Sequence, residues 1–166
     1  MRKLNPSHVK AVLEVINQGP YFNLLSMPIK EIGMGHSLIE LTIGRKHLNP
    51  FGALHGGVYA SAIDTAAYWS VYGECEEGVG LITIDLKVDF LAPASTGVMT
   101  VKGRRIRRGK TMCLAEATAF DEKGKWLAHG TSKLLVLRDR DTQTMAEAFA
   151  AAGVGDLPPK FIEGRP

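Results

Sequence analysis

Cysteine is scarce in this sequence. Cys75 and Cys113 are the only two among 166 residues, and their spacing matches no metal-ligand pattern. No metal is expected, the compartment reads as reducing and cytoplasmic, and neither thiol reads as a nucleophile. Charge of one sign is also in short supply, since a net +3 is too small to announce a nucleic-acid partner. No apolar run free of polar breaks reaches the ~18 residues that a membrane span needs. Met1-Arg2-Lys3-Leu4-Asn5-Pro6 carries positive charge with no apolar segment behind it, so no signal peptide is expected. Internal repeats and low-complexity stretches are missing too. What is present, 45% hydrophobic and 22% charged residues, is ordinary for a soluble globular chain long enough to bury a core. The expected organisation is a single domain over residues 1–138 and a tail over 139–166.

The chain is organised around one stretch, His55 to Tyr72. Between Gly56 and Gly73 it holds one charge, Asp64, among apolar and small residues, and no proline. That composition predicts a helix of roughly 16 residues, about 24 Å long. Being apolar on nearly every face, it should be buried on nearly every face. A lone carboxylate in such a helix is costly unless it is paired or has a task. Asp64 is therefore either a core residue satisfied by hydroxyls such as Ser61 or Thr65, or a functional group.

Upstream, Ser7 reads as the N-cap of a helix through Asn17, with Val9, Val12, Leu13 and Ile16 on one face and Gly19-Pro20 as its stop. Tyr21 to Ser26 reads as a further helical turn whose role is packing. Ile32 to Ile43 reads as a strand, and His36 and His47, without partners at ligand spacing, read as surface or loop residues. Asn49-Pro50-Phe51-Gly52 is a turn-rich loop leading into the central helix. Downstream, Leu81 to Leu91 alternates Ile82, Ile84, Leu86, Val88 and Phe90 against a polar face of Thr83, Asp85, Lys87 and Asp89. Val98 to Ile106, Thr111 to Phe120 and Trp126 to Leu137 complete a meander with short turns. Thr142 to Ala152 reads as a helix and Asp156 to Pro166 as a loose end. The fold class is α+β: an antiparallel sheet of about five strands wrapped around a long central helix, with an extra N-terminal helix and a helical C-terminal tail. Edge-to-edge dimerisation is one way to cover the edges of so long a sheet.

At Asn49-x5-His55-Gly56-Gly57-x6-Asp64 the sequence resembles the hotdog-fold acyl-CoA thioesterases, in the phenylacetyl-CoA thioesterase-like branch. Thr83-Ile84-Asp85-Leu86 with Phe90-Leu91-Ala92-Pro93-Ala94 looks like that branch's second strand. Arg108-Gly109-Lys110-Thr111 looks like its hairpin after the third. The likeness runs from Gly33 to Leu137. It implies hydrolysis of an aryl-acetyl or medium-chain acyl-CoA, no cofactor beyond the coenzyme A of the substrate, and a homo-oligomer, either a dimer or a dimer of dimers. No nucleic acid or membrane is implied.

Thioester hydrolysis needs an activated water or a carboxylate nucleophile, and a donor for the oxyanion. The N-terminus of the central helix, at Gly57, offers backbone N–H groups and a favourable dipole, and Asp64 offers the carboxylate, as general base or as nucleophile through an anhydride. Seven residues separate them, about 10 Å along one helix. They cannot both touch one carbonyl, so the two groups must come from two copies of the chain. By resemblance, Asp64 acts in the opposite subunit's site, Asn49 positions the water or the carboxylate, His55 stands near the thioester, and Thr83 helps hold the water. From the residues alone, Asn49 is equally a turn-former before Pro50, His55 a cap of its own loop, and Thr83 an ordinary strand threonine.

The basic run Arg104-Arg105-Ile106-Arg107-Arg108-Gly109-Lys110 is either a solvated hairpin or a phosphate clamp. Resemblance places Arg108, Gly109, Lys110 and Thr111 near the coenzyme A nucleotide. Two other functions compete. A hotdog hydratase would carry a proline-rich His motif that this chain lacks. A non-catalytic acyl-CoA binding or sensor protein would need no buried carboxylate and would typically append a DNA-binding module.

Overall fold

The computed structural model describes residues 2–137 and 157–163, together with residues 147, 150 and 151. In chain order the elements are β1 (Arg2–Leu4), α1 (Pro6–Ile16), α2 (Pro20–Leu25), β2 (Ile29–Ile32), β3 (His36–Thr42), a 3-10 turn (Arg45–His47), α3 (Gly56–Tyr72), β4 (Gly80–Phe90), β5 (Val98–Arg108), β6 (Met112–Phe120), β7 (Trp126–Leu137) and β8 (Phe161–Glu163). Six strands form one sheet in the order β2-β3-β5-β6-β7-β4, with every pairing antiparallel. The strand expected over 32–43 is β3, and the sixth strand, β2, lies just before it, overlapping the expected range only at Ile32. A turn with Gly35 at φ +80° joins the two, and β2 pairs antiparallel with β3.

α3 packs against all six strands of this sheet. Ala62, Ile63, Ala66 and Ala67 are wholly buried, and the strands are bare where the helix touches them. A Cβ at Gly103 would stand 2.1 Å from the Ala66 carbonyl oxygen, and one at Gly130 would stand 2.7 Å from Ile63 Cγ2. Ser37 Oγ donates to the same Ala66 carbonyl at 2.6 Å, pinning the helix over β3. Seated this deep, α3 has only one incompletely covered stripe. Gly57 is exposed and Ala60, Ser61, Asp64, Thr65 and Tyr68 are half-buried, while the other faces are closed. Burial on nearly every face therefore fails along the one line that carries the charge.

Several local expectations shift. Asn5, not Ser7, caps α1: its side chain accepts from the Ser7 N–H at 3.1 Å, and Pro6 takes the first helical position, where a missing N–H is harmless. His47 is buried rather than a loop surface residue. Its Nδ1 accepts from the Gly44 N–H at 2.9 Å, and its Nε2 donates to the Leu25 carbonyl at 2.7 Å. His36 is exposed and lies 2.8 Å from Glu31. Strand β5 runs on to Arg108, so the turn that follows is shorter than expected.

Residues 157–163 are more ordered than expected. β8 pairs antiparallel with β1, and Lys160 is 2% exposed, its ammonium 3.6 Å from the Tyr72 ring centre. Burial lowers the Lys160 pKa to about 8. Pro158 and Tyr72 hold His8 between them: Nδ1 donates to the Pro158 carbonyl and the Tyr72 hydroxyl donates to Nε2, each at 2.8 Å. The loose end is thus replaced, over residues 157–163, by a strap tied to the C-terminal end of α3. Of the helix expected over 142–152, Glu147, Ala150 and Ala151 are helical and exposed; the remainder lies outside the described residues. Among the described residues no helix is long and apolar enough to cross a membrane.

Candidate active site

The entrance of α3 is built by its cap. His55 is the N-cap residue, and its Nδ1 accepts from the Gly57 N–H at 2.9 Å. An accepting Nδ1 leaves the proton of the neutral ring on Nε2, which makes Nε2–H a donor. The Gly57 N–H, expected to be unpaired, therefore has a partner within its own turn. Gly56 lets the Phe90 ring lie against the helix start, since a Cβ there would be 3.3 Å from Phe90 Cζ.

Asn49 holds the loop before that entrance. Its Oδ1 accepts from the N–H groups of Phe51 and Ala53, at 2.9 and 3.2 Å, in the side-chain-to-backbone turn that asparagine favours. Leu48 and Leu54 bridge across the base of the loop. Asn49 also lines a groove of about 350 Å³ with Gly56, Tyr59, Phe90, Ala92 and Pro93. The turn-forming role is the one the structure shows: the Asn49 oxygen builds the loop that sets its residue beside the helix N-terminus.

Two helical turns further along, Asp64 Oδ1 accepts from the Thr83 hydroxyl at 2.9 Å. Strict alternation puts Thr83 on the polar face of β4, but the register against β7 shifts between Thr83 and Asp85. One extra residue there reverses the facing of the strand. Leu81 and Thr83 turn toward α3 before the bulge, Leu86 and Val88 after it, and Ile82 and Ile84 face out at 49% and 53% exposure. Neither Ser61 nor Thr65 satisfies the carboxylate; Ser61 donates instead to the Gly57 carbonyl at 2.7 Å. Burial pushes the Asp64 pKa up from the ordinary carboxylate value, and the Thr83 hydrogen bond offsets part of that rise. Replacing Thr83 by valine is expected to move the Asp64 pKa further up, as read by carbon-detected NMR of the carboxyl. An unmoved titration would show that the hydroxyl does not bond the carboxylate.

A second bulge, between Arg105 and Arg107, sorts the basic run in the same way. Arg105 and Arg108 turn to the acidic residues after α3. Arg105 pairs with Glu74 at 2.7 Å, and Arg108 lies 3.4 Å from Glu76, which also pairs with Arg2 at 2.6 Å. Gly109, Lys110 and Thr111 instead line a groove of about 400 Å³ together with Arg107, Met112 and Lys133.

Residues 51–128 match the family model described as the thioesterase superfamily. A protein of Saccharolobus solfataricus named as an esterase is 30% identical to this chain over 138 residues, 82% of this chain and 90% of that one. The chain belongs to the thioesterase superfamily. Thioester hydrolysis is accordingly its enzyme class. Acyl-coenzyme A thioesterase 13 of Mus musculus is 22% identical across 74% of this chain and 90% of its own. A thioesterase from Haemophilus influenzae superposes with a TM-score of 0.73 at 20% identity, over 83% of this chain and 96% of that one. A Streptococcus pneumoniae thioesterase protein solved with coenzyme A gives a TM-score of 0.65 at 20% identity, over 72% and 93%. These superpositions establish the hotdog fold.

In this thioesterase superfamily member the expected site residues fall into three groups. Asn49, His55 and Gly57 meet at the α3 entrance; Asp64 and Thr83 meet two turns away; and Gly109, Lys110 and Thr111 share the basic groove, with Arg108 turned from it. Lys133 escaped sequence reasoning because a cross-strand register places it, which leaves no local signature; Arg107 was read only as part of the basic run, and the bulge is what leaves it at the groove. Tyr21 escaped as well. Its hydroxyl lies 2.6 Å from Ser61 Oγ, on the stripe of α3 that carries Gly57 and Asp64. Among the described residues, no cluster of three or more His, Cys, Asp or Glu side chains is disposed to hold a metal ion.

Proposed function

We propose that the protein hydrolyses an aryl-acetyl or medium-chain acyl-CoA to the carboxylic acid and free coenzyme A, in a site completed by a second copy of the chain. The observation that carries this reading is Asp64, a carboxylate held by Thr83 on the one uncovered stripe of α3, about 10 Å along the helix from Gly57. A two-fold axis that lays two such stripes antiparallel sets each Asp64 opposite the partner's Gly57. Strand β4 supports the same pairing, since it lies at the end of the sheet with Ile82 and Ile84 outward, an edge that a second β4 would cover.

In that site the Gly57 N–H leaves His55 Nδ1 and donates to the thioester carbonyl oxygen, where negative charge develops. Asp64 from the opposite chain removes a proton from water as the water oxygen bonds to the carbonyl carbon. Alternatively its carboxylate attacks first and water opens the resulting anhydride. Collapse of the tetrahedral intermediate breaks the C–S bond, and the departing thiolate of coenzyme A takes up the proton. His55 Nε2–H faces the thioester as a second donor, and Asn49 holds the loop that shapes the entrance. Arg107, Lys110 and Lys133 line a groove whose charge suits the phosphates of coenzyme A. The name of the mouse relative and the coenzyme A in the Streptococcus pneumoniae structure support this substrate class.

The test is free-thiol release from phenylacetyl-, hexanoyl- and lauroyl-CoA, with acid formation followed in parallel. Stoichiometric thiol and acid from at least one of them is the expected result. Saturable binding without thiol release would overturn the reading in favour of a non-catalytic acyl-CoA binding protein.

A further inference from the structure

The stripe of α3 that carries Gly57 and Asp64 is flanked by an element so far given only a packing role, α2, through Tyr21 and Ser61. α2 is six residues long, too short to persist alone, yet it is fastened at both ends. Pro20 starts it, Ser26 ends it in the left-handed conformation at φ 45°, and the Met27 N–H donates to the Phe22 carbonyl at 3.0 Å. Lys46 Nζ donates to Ser26 Oγ at 2.7 Å. Phe22 and Leu25 pack into the core, which turns Tyr21 and Leu24 outward, 52% and 66% exposed, three residues apart on one face.

Tyr21 is not a casual surface residue. Ser61 Oγ–H is committed to the Gly57 carbonyl at 2.7 Å, so the Tyr21 hydroxyl, 2.6 Å from Ser61 Oγ, is the donor of that pair. The ring is thereby held by two linked hydrogen bonds to the helical turn whose N–H is to polarise the thioester. Gly57, Ser61 and Asp64 are spaced i, i+4, i+7, the repeat of a single helix face. Tyr21, fixed beside that face, with Leu24 exposed on the same side of α2, marks a contact surface rather than scattered exposure.

We propose that Tyr21 and Leu24 form a wall of the compartment that takes the apolar acyl group of the thioester, so that Tyr21 sets acyl selectivity. The assignment rests on the thioesterase reading above and names the part of the chain that contacts its substrate's tail. An acyl chain whose carbonyl sits at Gly57 runs along the stripe past Ser61, and chains long enough to reach the Tyr21 ring gain contact that acetyl cannot. Phenylalanine keeps the ring but frees it from Ser61, whereas alanine removes it.

The experiment compares wild type, Tyr21→Ala, Tyr21→Phe and Leu24→Ala in turnover of acetyl-, hexanoyl- and lauroyl-CoA. Binding of the corresponding non-hydrolysable thioethers is measured on the same proteins by calorimetry. Tyr21→Ala is expected to raise KM, and the thioether Kd, about tenfold or more for lauroyl, leaving acetyl within about twofold and kcat unchanged. Leu24→Ala, whose side chain is freely exposed, should move the same ratio in the same direction, and Tyr21→Phe should lie between wild type and Tyr21→Ala. A uniform shift across chain lengths, or none, overturns the proposal. Conversion of the protein to smaller species on size exclusion also overturns it, since Tyr21 would then cover a partner subunit instead. Length-dependent thioether binding without thiol release in wild type would overturn the thioesterase reading and leave the Tyr21 wall standing.

Discussion

Asp64→Asn is expected to lower kcat by about 10²–10³-fold while leaving the fold at least as stable as wild type near neutral pH. The first half follows from removing the proton acceptor, or the nucleophile, from the proposed site. The second follows from burial. Asp64 has a folded-state pKa above its unfolded value because burial disfavours the charged form, with the Thr83 hydrogen bond only partly opposing it. A carboxyl raised in this way favours the fold below its unfolded pKa, and that contribution is lost as pH rises through the folded value. Near pH 7 the ionised side chain is a burden, and asparagine of the same shape removes it while its Oδ1 still accepts from Thr83. Thiol-release kinetics and thermal melts at pH 4 and pH 7 check both halves. The expected melting advantage of the variant appears at the higher pH and disappears at the lower. A core aspartate retained for packing would behave oppositely, losing stability with activity following it down. A gain in stability with a loss of turnover is the signature of a group kept for chemistry.

What was legible in the sequence was what local spacing records. The run from Gly56 to Tyr72, the loop that ends at His55 and the strands over 98–108, 112–120 and 126–137 all follow from residues close together in the chain. The entrance half of the site lay in one stretch for the same reason: Asn49, His55 and Gly57 share a loop and the first turn of a helix. The facing of side chains was less legible, because a bulge reverses it without changing composition. Alternation placed Thr83 with the polar residues, but the shift between Thr83 and Asp85 turned it onto Asp64. The shift between Arg105 and Arg107 likewise sent Arg108 to Glu76 and left Arg107 in the groove with Lys110.

Contacts between distant parts of the chain left still less trace. Strands β1 and β8 are three residues each, too short for a period to show, and each exists only because the other is beside it. Lys160 has the residue type least expected indoors, yet the strap seats it on Tyr72, the last residue of α3. Tyr21 gave no sign of its link to Ser61 because the two are 40 positions apart. Both misses involve side chains on α2, α3 and the strap whose proximity the packing of the ends around the central helix creates.

Mixing two inactive variants is expected to restore about a quarter of wild-type activity, because the proposed site draws on two chains. Gly57→Pro removes the proposed oxyanion donor, and proline is tolerated in the first turn of a helix, so the variant should fold while losing about 10²–10³-fold in kcat. Asp64→Asn loses the carboxylate. When the two chains are co-expressed and pair at random, about half of the dimers are mixed. In each mixed dimer one site receives Asp64 from the proline variant and the intact Gly57 from the asparagine variant, and the other site receives neither. One working site in half of the dimers is about a quarter of the full complement, a rise of 25-fold or more over either parent at ~10²-fold loss. Asp64 and Thr83 supply the control, since their 2.9 Å hydrogen bond lies within one chain. Co-expressing Asp64→Asn with Thr83→Val leaves every carboxylate–hydroxyl pair broken, so activity should fall between the two parents and not exceed the less impaired one. Rescue in the first mixture and not in the second sorts the residues into one group at the helix entrance and one at its middle, contributed by different chains. Failure of the first mixture, with mixed dimers demonstrated by differential tagging, would mean that Asp64 and Gly57 serve one chain. The carbonyl would then have to sit elsewhere than at the helix N-terminus, because ~10 Å of helix keeps the two groups apart.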